Sequence, residues 1–394
     1  MRRTKQAEKS LLGALWGYAL DVSEAFRTVS LTTRVRIRAR RGRTENSTST
    51  HSGEYACSWE FVGAPQLGHV IGILAIHKSL GYLIPMGNRQ VIVGVGVTTS
   101  SRRTATGVIV ATVAFLLIAV GCGLPAPSAQ VVAAGDIASC RTEGDEATAE
   151  LVEDIDGTVV ALGDEAYPRG TAANFEECYG PTWGRFKGRT KPVPGNHEYY
   201  TEGARGYFEY FGDAAGDPEG GYYSYELGSW HVVALNSNCE EVRCGPGSPQ
   251  TRWLKEDLAA NEDVRCTLAY MHHPRFSSGE KHGSTAGGVE ELWEALYEAD
   301  TDVVLSAHEH NYERFSPQDP QGRIDPEGGI RQFVAGTGGG GGEGPISDSI
   351  ANSEVRTDGT DGVLKLTLNA KSYEWAFVPV KGESFTDSGG AQCH

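Results

Sequence analysis

Thr158-Val159-Val160-Ala161-Leu162-Gly163-Asp164-Glu165-Ala166-Tyr167 is the stretch on which the fold turns. A short run of β-branched and aliphatic residues is cut off by Gly-Asp. That pattern reads as a buried strand whose last carbonyls lead into a turn carrying a carboxylate. The same grammar occurs one unit upstream, where Gln130–Ala134 reads as a strand ending in Gly135-Asp136 and Glu146–Ile155 as the helix between. Strand, helix and strand in this order place the chain in the α/β class.

Working outward, Lys191-Pro192-Val193-Pro194 leads into Gly195-Asn196-His197-Glu198, and an aromatic helix follows at Gly206–Phe211. Tyr222–Leu227 and Trp230–Leu235 read as a hairpin turning at Gly228-Ser229. Ser248-Pro249 is a helix start, serine as cap and proline at the first helical position, with the helix running to about Ala260. Cys266–Met271 is a strand, Val289–Ala299 a helix, Asp302–Leu305 a strand leading into His308, and Ile330–Ala335 and the alternating Gly362–Val380 close the domain. Consecutive strands at 222–235 and 362–380 argue against one parallel sheet. The expected architecture is two mixed β-sheets packed as a sandwich with outer helices.

Charge divides the chain. Residues 1–103 hold 15 Lys+Arg against 6 Asp+Glu, whereas residues 104–394 hold 20 against 45. A folded nucleic-acid binder would carry its basic patch on the globular part, so the acidic body argues against nucleic-acid binding by the folded domain. Residues 1–100 show an arginine run (Arg34 to Arg43), a Ser/Thr tract and no sustained helical or strand period. They are expected to be a disordered basic leader, or a stretch added by too early a start, with Met86 or Val97 as the true beginning.

Residues 101–130 read as a signal. Arg102-Arg103 precedes the apolar run Gly107–Gly121, which is shorter than the ~20 residues of a membrane span. Ala119-Val120-Gly121-Cys122 is similar to a bacterial lipoprotein box, making Cys122 a possible lipid anchor. Plain cleavage near Ser128-Ala129 and a retained anchor are the alternatives. The third part, residues 131–394, is the expected catalytic domain. Its six cysteines (Cys140, Cys178, Cys239, Cys244, Cys266, Cys393) suit an exported, disulfide-bonded chain, and Cys239–Cys244 is the favoured pair.

Five segments place hard or borderline metal ligands just after strand ends: Asp136; Asp164 with Tyr167; Asn196-His197; His272-His273; and His308 with His310. Each alone is an ordinary turn, cap or surface histidine. Together they hold five of the eight histidines beyond residue 190, and turns do not explain that concentration. The run Gly336–Gly344 lacks the Gly-Lys-Ser/Thr of a phosphate loop and reads as a flexible loop. No Gly-x-Ser-x-Gly elbow supports a serine hydrolase.

These segments resemble the metallophosphoesterase superfamily, most closely its purple acid phosphatase branch, whose pattern is GDx, GDxxY, GNHE, VxxH and GHxH. The pattern appears as Gly135-Asp136, Gly163-Asp164-Glu-Ala-Tyr167, Gly195-Asn196-His197-Glu198, Ala269-Tyr-Met-His272 and Ala307-His308-Glu-His310, extended by Tyr312-Glu313-Arg314. It spans about residues 131–380. Ala269 and Ala307 depart from it, the second by adding a methyl group where backbone would approach the site.

The resemblance implies a calcineurin-like metallophosphoesterase fold and two metal ions. Asp136, Tyr167 and His310 would hold the first, Asn196, His272 and His308 the second, with Asp164 bridging both. A phenolate suits Fe(III), and the second position a divalent Zn, Mn or Fe. The implied activity is acid phosphatase-like hydrolysis of a small phosphomonoester by a metal-bound hydroxide, in an extracellular or envelope-attached protein. His197 would be the catalytic proton donor or a phosphate contact, and His282 a further substrate contact. His273 is expected at most behind the ligands, and His231 is expected to have no chemistry. A phosphodiesterase or nucleotidase with the same site, and a degenerate non-catalytic phosphate-binding surface protein, are the rival readings.

Overall fold

The computed structural model describes residues 79–86, 89–96, 128–341 and 348–394. The chain divides into two compact units, Met1–Cys122 and Gly123–His394. In the first, the described residues form an antiparallel pair, β1 (Ser79–Met86) and β2 (Arg89–Gly96). This corrects the expectation of no strand period there. The intervening Gly87-Asn88 is itself a two-residue hairpin signal between apolar runs. The apolar run 107–121 and Cys122 lie outside the described residues. Among the described residues no helix is long and apolar enough to cross a membrane.

The second unit contains β3 (Ala129–Ala134), β4 (Thr158–Ala161), β5 (Thr190–Pro192), β6 (Tyr223–Leu227), β7 (Trp230–Ala234), β8 (Cys266–Tyr270) and β9 (Val303–Ser306). It continues with β10 (Asn311–Phe315), β11 (Arg331–Ala335), β12 (Ser353–Asp358), β13 (Gly362–Leu368), β14 (Ser372–Pro379) and β15 (Ser388–Gln392). One sheet runs β15-β14-β13-β3-β4-β5 and the other β12-β10-β11-β9-β8-β7-β6. Strands β3, β4 and β5 are parallel, as are β7, β8, β9 and β11, and the remaining pairs are antiparallel. This is the mixed two-sheet sandwich that the strand pattern predicts.

The strand period of two sorts the side chains into layers. Val131 and Ala133 join Trp230, Leu268, Leu305, Phe333 and Leu366 in the core between the sheets. Their neighbours Val132 and Ala134 face outward, in one cluster with Ala149 and Val152 of helix α1 (Gly144–Glu153) and Tyr207 and Phe211 of α2 (Arg205–Phe211). On the other outer face, Val233, Ala269 and Val304 pack with Leu254 and Leu258 of α3 (Pro249–Ala260) and Leu292, Trp293 and Leu296 of α4 (Gly288–Glu298). Ser248 caps α3 by accepting from the Thr251 N–H, with Pro249 at the first position. Central strands buried on both faces explain the unbroken apolar runs.

Disulfides join Cys140–Cys178, Cys239–Cys244 and Cys266–Cys393. The short-loop pair is the favoured one. The third ties the chain's end to β8, where His394 also contacts Asp302 through its backbone N–H and its Nδ1, each over 3.0 Å.

Candidate metal centre

The parallel strands of both sheets release their chemistry-bearing residues at the same edge of the sandwich. Asp136 follows β3, Asp164 follows β4, and His308 follows β9, and all three adopt left-handed backbone (φ 58°, 51° and 71°). Such non-glycine conformations cost on the order of 1–3 kcal/mol each. One fully buried Val or Leu contributes roughly 1.5–3 kcal/mol, so the two-layered core can carry that strain.

The glycines of the pattern make room. A Cβ on Gly163 would collide with the His272 ring and the Gly195 backbone, and one on Gly195 with the Asp164 carboxylate. Ala307 behaves differently from its sequence expectation. Its methyl is fully buried in the inter-sheet core and faces Gly135, which could not carry a Cβ opposite it. The extra methyl therefore packs into the core.

All seven expected side chains converge. Tyr167 Oη lies 2.7 Å from Asp136 Oδ1, 3.1 Å from Asp164 Oδ2 and 3.0 Å from His310 Nε2. His272 Nε2 lies 3.2 Å from Asn196 Oδ1, 3.1 Å from His308 Nδ1 and 3.6 Å from Asp164 Oδ1. Two half-sites result, and Asp164 turns one oxygen to each.

The donor chemistry fits cations. Nδ1 of His272 lies 2.8 Å from the Leu162 carbonyl and Nδ1 of His310 lies 2.9 Å from the Gly341 carbonyl. A carbonyl only accepts, so each Nδ1 carries the proton and each Nε2 offers its lone pair to the centre. A carboxyl pair, an amide oxygen and bare imidazole nitrogens crowded within hydrogen-bond distance repel one another unless positive charge lies between them. Burial, then the neighbouring Asp136, pushes the Asp164 carboxyl up to about 8. Burial, then the other imidazoles, holds His308 far below the usual histidine range. Burial, then the Asp136 and Asp164 carboxylates, raises the Tyr167 hydroxyl well above its ordinary value. Against a burial effect that lowers it, Asp136 raises His310 to about 9. A bound cation would reverse the raised values of Asp164, Tyr167 and His310, and the deprotonated His308 is already in the form that binds one.

His197 stands on the short helical turn Asn196–Tyr199. Its Nδ1 lies 2.8 Å from the Pro168 carbonyl, its Nε2 lies 3.8 Å from Asp164 Oδ2, and its ring meets Tyr167 edge-on at 4.5 Å. His282 is exposed, with its ring centroid 4.0 Å from that of His308. His273 comes closer than expected. It packs 4.4 Å from His308 and 4.9 Å from His272, and its ligand nitrogen falls within 4.8 Å of theirs, while Ser237 Oγ holds its Nδ1 at 2.8 Å. His231 lies in β7, paired with Glu226 and Asp257.

Two supports escaped the sequence reading. Glu198 is fully buried and accepts the backbone N–H groups of Asp164, Ala166 and Gly195, so it ties the second and third segments together. Glu–x–x–Gly spacing back to Gly195, a capping arrangement, was the available signal. The glycine run at 336–341 is a correction. It does not stand free as a flexible loop. Gly338 and Gly340 donate to the carbonyls of Gly135 and Asp136, and Cβ atoms on Gly336 and Gly340 would strike Asp136 and the Tyr167 ring. The run is glycine because backbone must pass directly under the site.

Residues 129–312 match the family described as calcineurin-like phosphoesterase. Purple acid phosphatase 15 of Arabidopsis thaliana is 30% identical over 223 residues, covering 48% of this chain and 41% of that protein. Purple acid phosphatase 23 of the same plant is 31% identical over 163 residues, covering 36% and 35%. The chain thus spans about two fifths or less of these relatives' lengths. A solved purple acid phosphatase from yellow lupin (Lupinus luteus) seeds shares the fold at a TM-score of 0.56 and 14% identity, covering 92% of this chain and 70% of that one.

Proposed function

We infer that this chain, which belongs through residues 129–312 to the calcineurin-like phosphoesterases and is similar within them to purple acid phosphatases, is an exported two-metal phosphatase acting on small phosphomonoesters. The observation that carries the reading is the division of Asp164. Its Oδ2 faces Tyr167 beside Asp136 and His310, and its Oδ1 faces His272 beside Asn196 and His308. One carboxylate spanning two donor sets is what a pair of ions about 3.5–4 Å apart requires.

Asp136, Tyr167, His310 and Asp164 would hold Fe(III), and Asn196, His272, His308 and Asp164 a divalent Zn, Mn or Fe. When bound, the pair supplies charge neutralisation for phosphate oxygens and an acidified water nucleophile. The chain's own part is orientation and proton supply. Leu162 and Gly341 carbonyls hold two imidazoles with Nε2 inward. His197, with Nδ1–H committed to the Pro168 carbonyl, keeps Nε2 free, and as the imidazolium it would give the Nε2 proton to a departing alkoxide oxygen and remain as the neutral ring. His282, beside His308, would touch the phosphate.

Residues 131–394 would be the catalytic domain, behind a leader (1–100) and an export signal (101–130). Three disulfides support passage through an oxidising compartment. The core-facing methyl of Ala307 removes the one feature that favoured a non-catalytic surface protein.

The test uses the full exported chain. Metal content and visible absorption are measured, and p-nitrophenyl phosphate is assayed beside bis(p-nitrophenyl) phosphate, with Asp164→Ala as control. Two metals per chain with monoester preference supports the proposal. Diester preference moves the substrate class to the nearest rival, and inactivity of the metal-loaded protein on both esters overturns it.

A further inference from the structure

The residue between the two site histidines of the last segment is unspecified by the GHxH pattern, and here it is Glu309. It is fully buried. Its Oε1 accepts the backbone N–H groups of His282 and Gly283, each over 2.5 Å, while its Oε2 has no hydrogen-bond partner. The carboxylate fills the space where a Cβ on Gly279 would stand. Four residues further on, the buried Glu313 accepts the N–H of Ser278 over 2.8 Å and its Oγ over 2.5 Å. Through the bend at 308–310, His308 and His310 reach the ligand cluster, while Glu309 and, in β10, Glu313 reach the loop. The segment that presents two imidazoles to the centre therefore also grips the 278–283 loop.

We propose that Glu309 is a positioning residue that locks the 278–283 loop to the metal-ligand segment and so sets His282 over His308. This rests on the phosphatase reading for its functional consequence, but the clamp itself does not. Two adjacent amides converging on one carboxylate oxygen fix both place and direction of the backbone at His282, and charge-assisted bonds of this kind are about twice as strong as neutral ones. The exposed His282 ring meets the His308 ring at 4.0 Å, and the clamp fixes the backbone from which it projects. Lys281, beside it, comes within electrostatic range of His197 and His310, so the same clamp also places a cation at the rim of the site. Substrate specificity of this site would then be set through Glu309 without Glu309 touching substrate.

The experiment compares Glu309→Val and Glu309→Gln in the full chain, each with and without His282→Ala. Amide hydrogen exchange over 278–284 is read in metal-free protein. Metal content, kcat and KM on p-nitrophenyl phosphate, and inhibition by inorganic phosphate are read in loaded protein. Glu309→Val should speed exchange at His282 and Gly283 at least tenfold, keep both metals, and lower kcat/KM as far as His282→Ala does, on the order of 10²-fold. Adding it to His282→Ala should cost nothing further, and Glu309→Gln, which keeps an acceptor oxygen, should recover part of the loss. Unchanged exchange in Glu309→Val overturns the clamp. Multiplicative losses in the double variant, or lost metal, overturn the role through His282. A loaded wild type inactive on both esters would instead remove the phosphatase reading, with the exchange arm still deciding the clamp.

Discussion

The Oδ2 of Asp136 accepts the backbone N–H of His308 over 2.8 Å, joining the turn after β3 in one sheet to the turn after β9 in the other. Both residues are left-handed, so neither turn is in a conformation its own sequence favours. Each turn is held by the other and by the glycine run beneath them. Gly340 is the point of that run nearest Tyr167, where a Cβ would press on the Tyr167 ring and the Asp136 carbonyl. Gly340→Ala should destabilise the protein by about 1–3 kcal/mol, the usual cost of overpacking. Urea unfolding measures this, and metal affinity should fall in parallel because Tyr167 is displaced. Gly188→Ala, with nothing within 4 Å of its Cβ, is the control and should leave both unchanged.

Asp164→Asn separates site function from fold stability. Asn keeps an oxygen able to accept the His197 N–H that Asp164 Oδ1 now receives over 2.9 Å, and it removes the buried repulsion with Asp136. In chelator the variant should melt no lower than wild type. On metal addition the two should part. Wild type gains RT ln(1 + [L]/Kd), about 2.7 kcal/mol at a hundredfold excess over Kd, while the variant gains little. A wild type whose melting temperature ignores Zn, Mn and Fe would contradict the ligand assignment.

His231 gives the fold a pH dependence remote from the centre. Its side chain is buried in β7, with Nδ1 2.9 Å from Glu226 on β6 and Nε2 2.7 Å from Asp257 on α3. Against burial, which lowers it, the two carboxylates raise the imidazole above its ordinary value. Against burial in turn, His231 and Ser224 lower Asp257. A raised histidine stabilises fully below its unfolded value near 6.5, and the contribution is lost as pH rises through the folded value. A lowered aspartate contributes above about 3.8 and loses this as pH falls. The pair therefore stabilises most between the two, in mildly acidic medium. His231→Gln should narrow the wild-type advantage in melting temperature between pH 5 and pH 8, the difference being larger at pH 5. An equal difference at both values would count against the charged pair.

Much of this was legible along the chain because strands buried on both faces write themselves as apolar runs. β3, β4, β7, β8, β9 and β11 are of this kind, and β3, β4, β8 and β9 run into Asp136, Asp164, His272 and His308. β10 was not, because Asn311-Tyr312-Glu313-Arg314-Phe315 alternates polar groups whose partners are remote. Arg314 is buried against Asp387, and Tyr312 donates to the same carboxylate over 2.7 Å. Nothing local announces a strand when its polar residues are satisfied some 70 positions away. The glycine run misled for a related reason. Composition reports freedom, whereas the fold uses the missing side chains for close approach to Asp136 and Tyr167. The five ligand-bearing segments were readable from residue type and their place after strands, and the resemblance picked the seven residues out of them; Glu198 left only its capping spacing to Gly195, and Glu309, whose work is on backbone amides, left no local signal.

His197 can be tested through the leaving group. If it protonates the departing oxygen, its importance must grow with the basicity of that oxygen. A p-nitrophenolate leaves readily without a proton, whereas an alkoxide such as that of glycerol phosphate does not. His197→Asn should therefore lower kcat on the alkyl ester by on the order of 10²–10⁴, the usual range for a general acid, and on the aryl ester by much less. Metal content should persist, because His197 Nε2 points at Asp164 Oδ2 from 3.8 Å, beyond ligand distance of the centre's donors. The backbone matters separately: the His197 N–H holds Asp164 Oδ1 whatever side chain follows, so the variant keeps that support. Equal losses on both esters would mean that His197 binds phosphate and leaves the proton to another group, with His282, over His308, the nearest candidate. Stopped-flow comparison of the two esters at pH 5 makes that distinction directly.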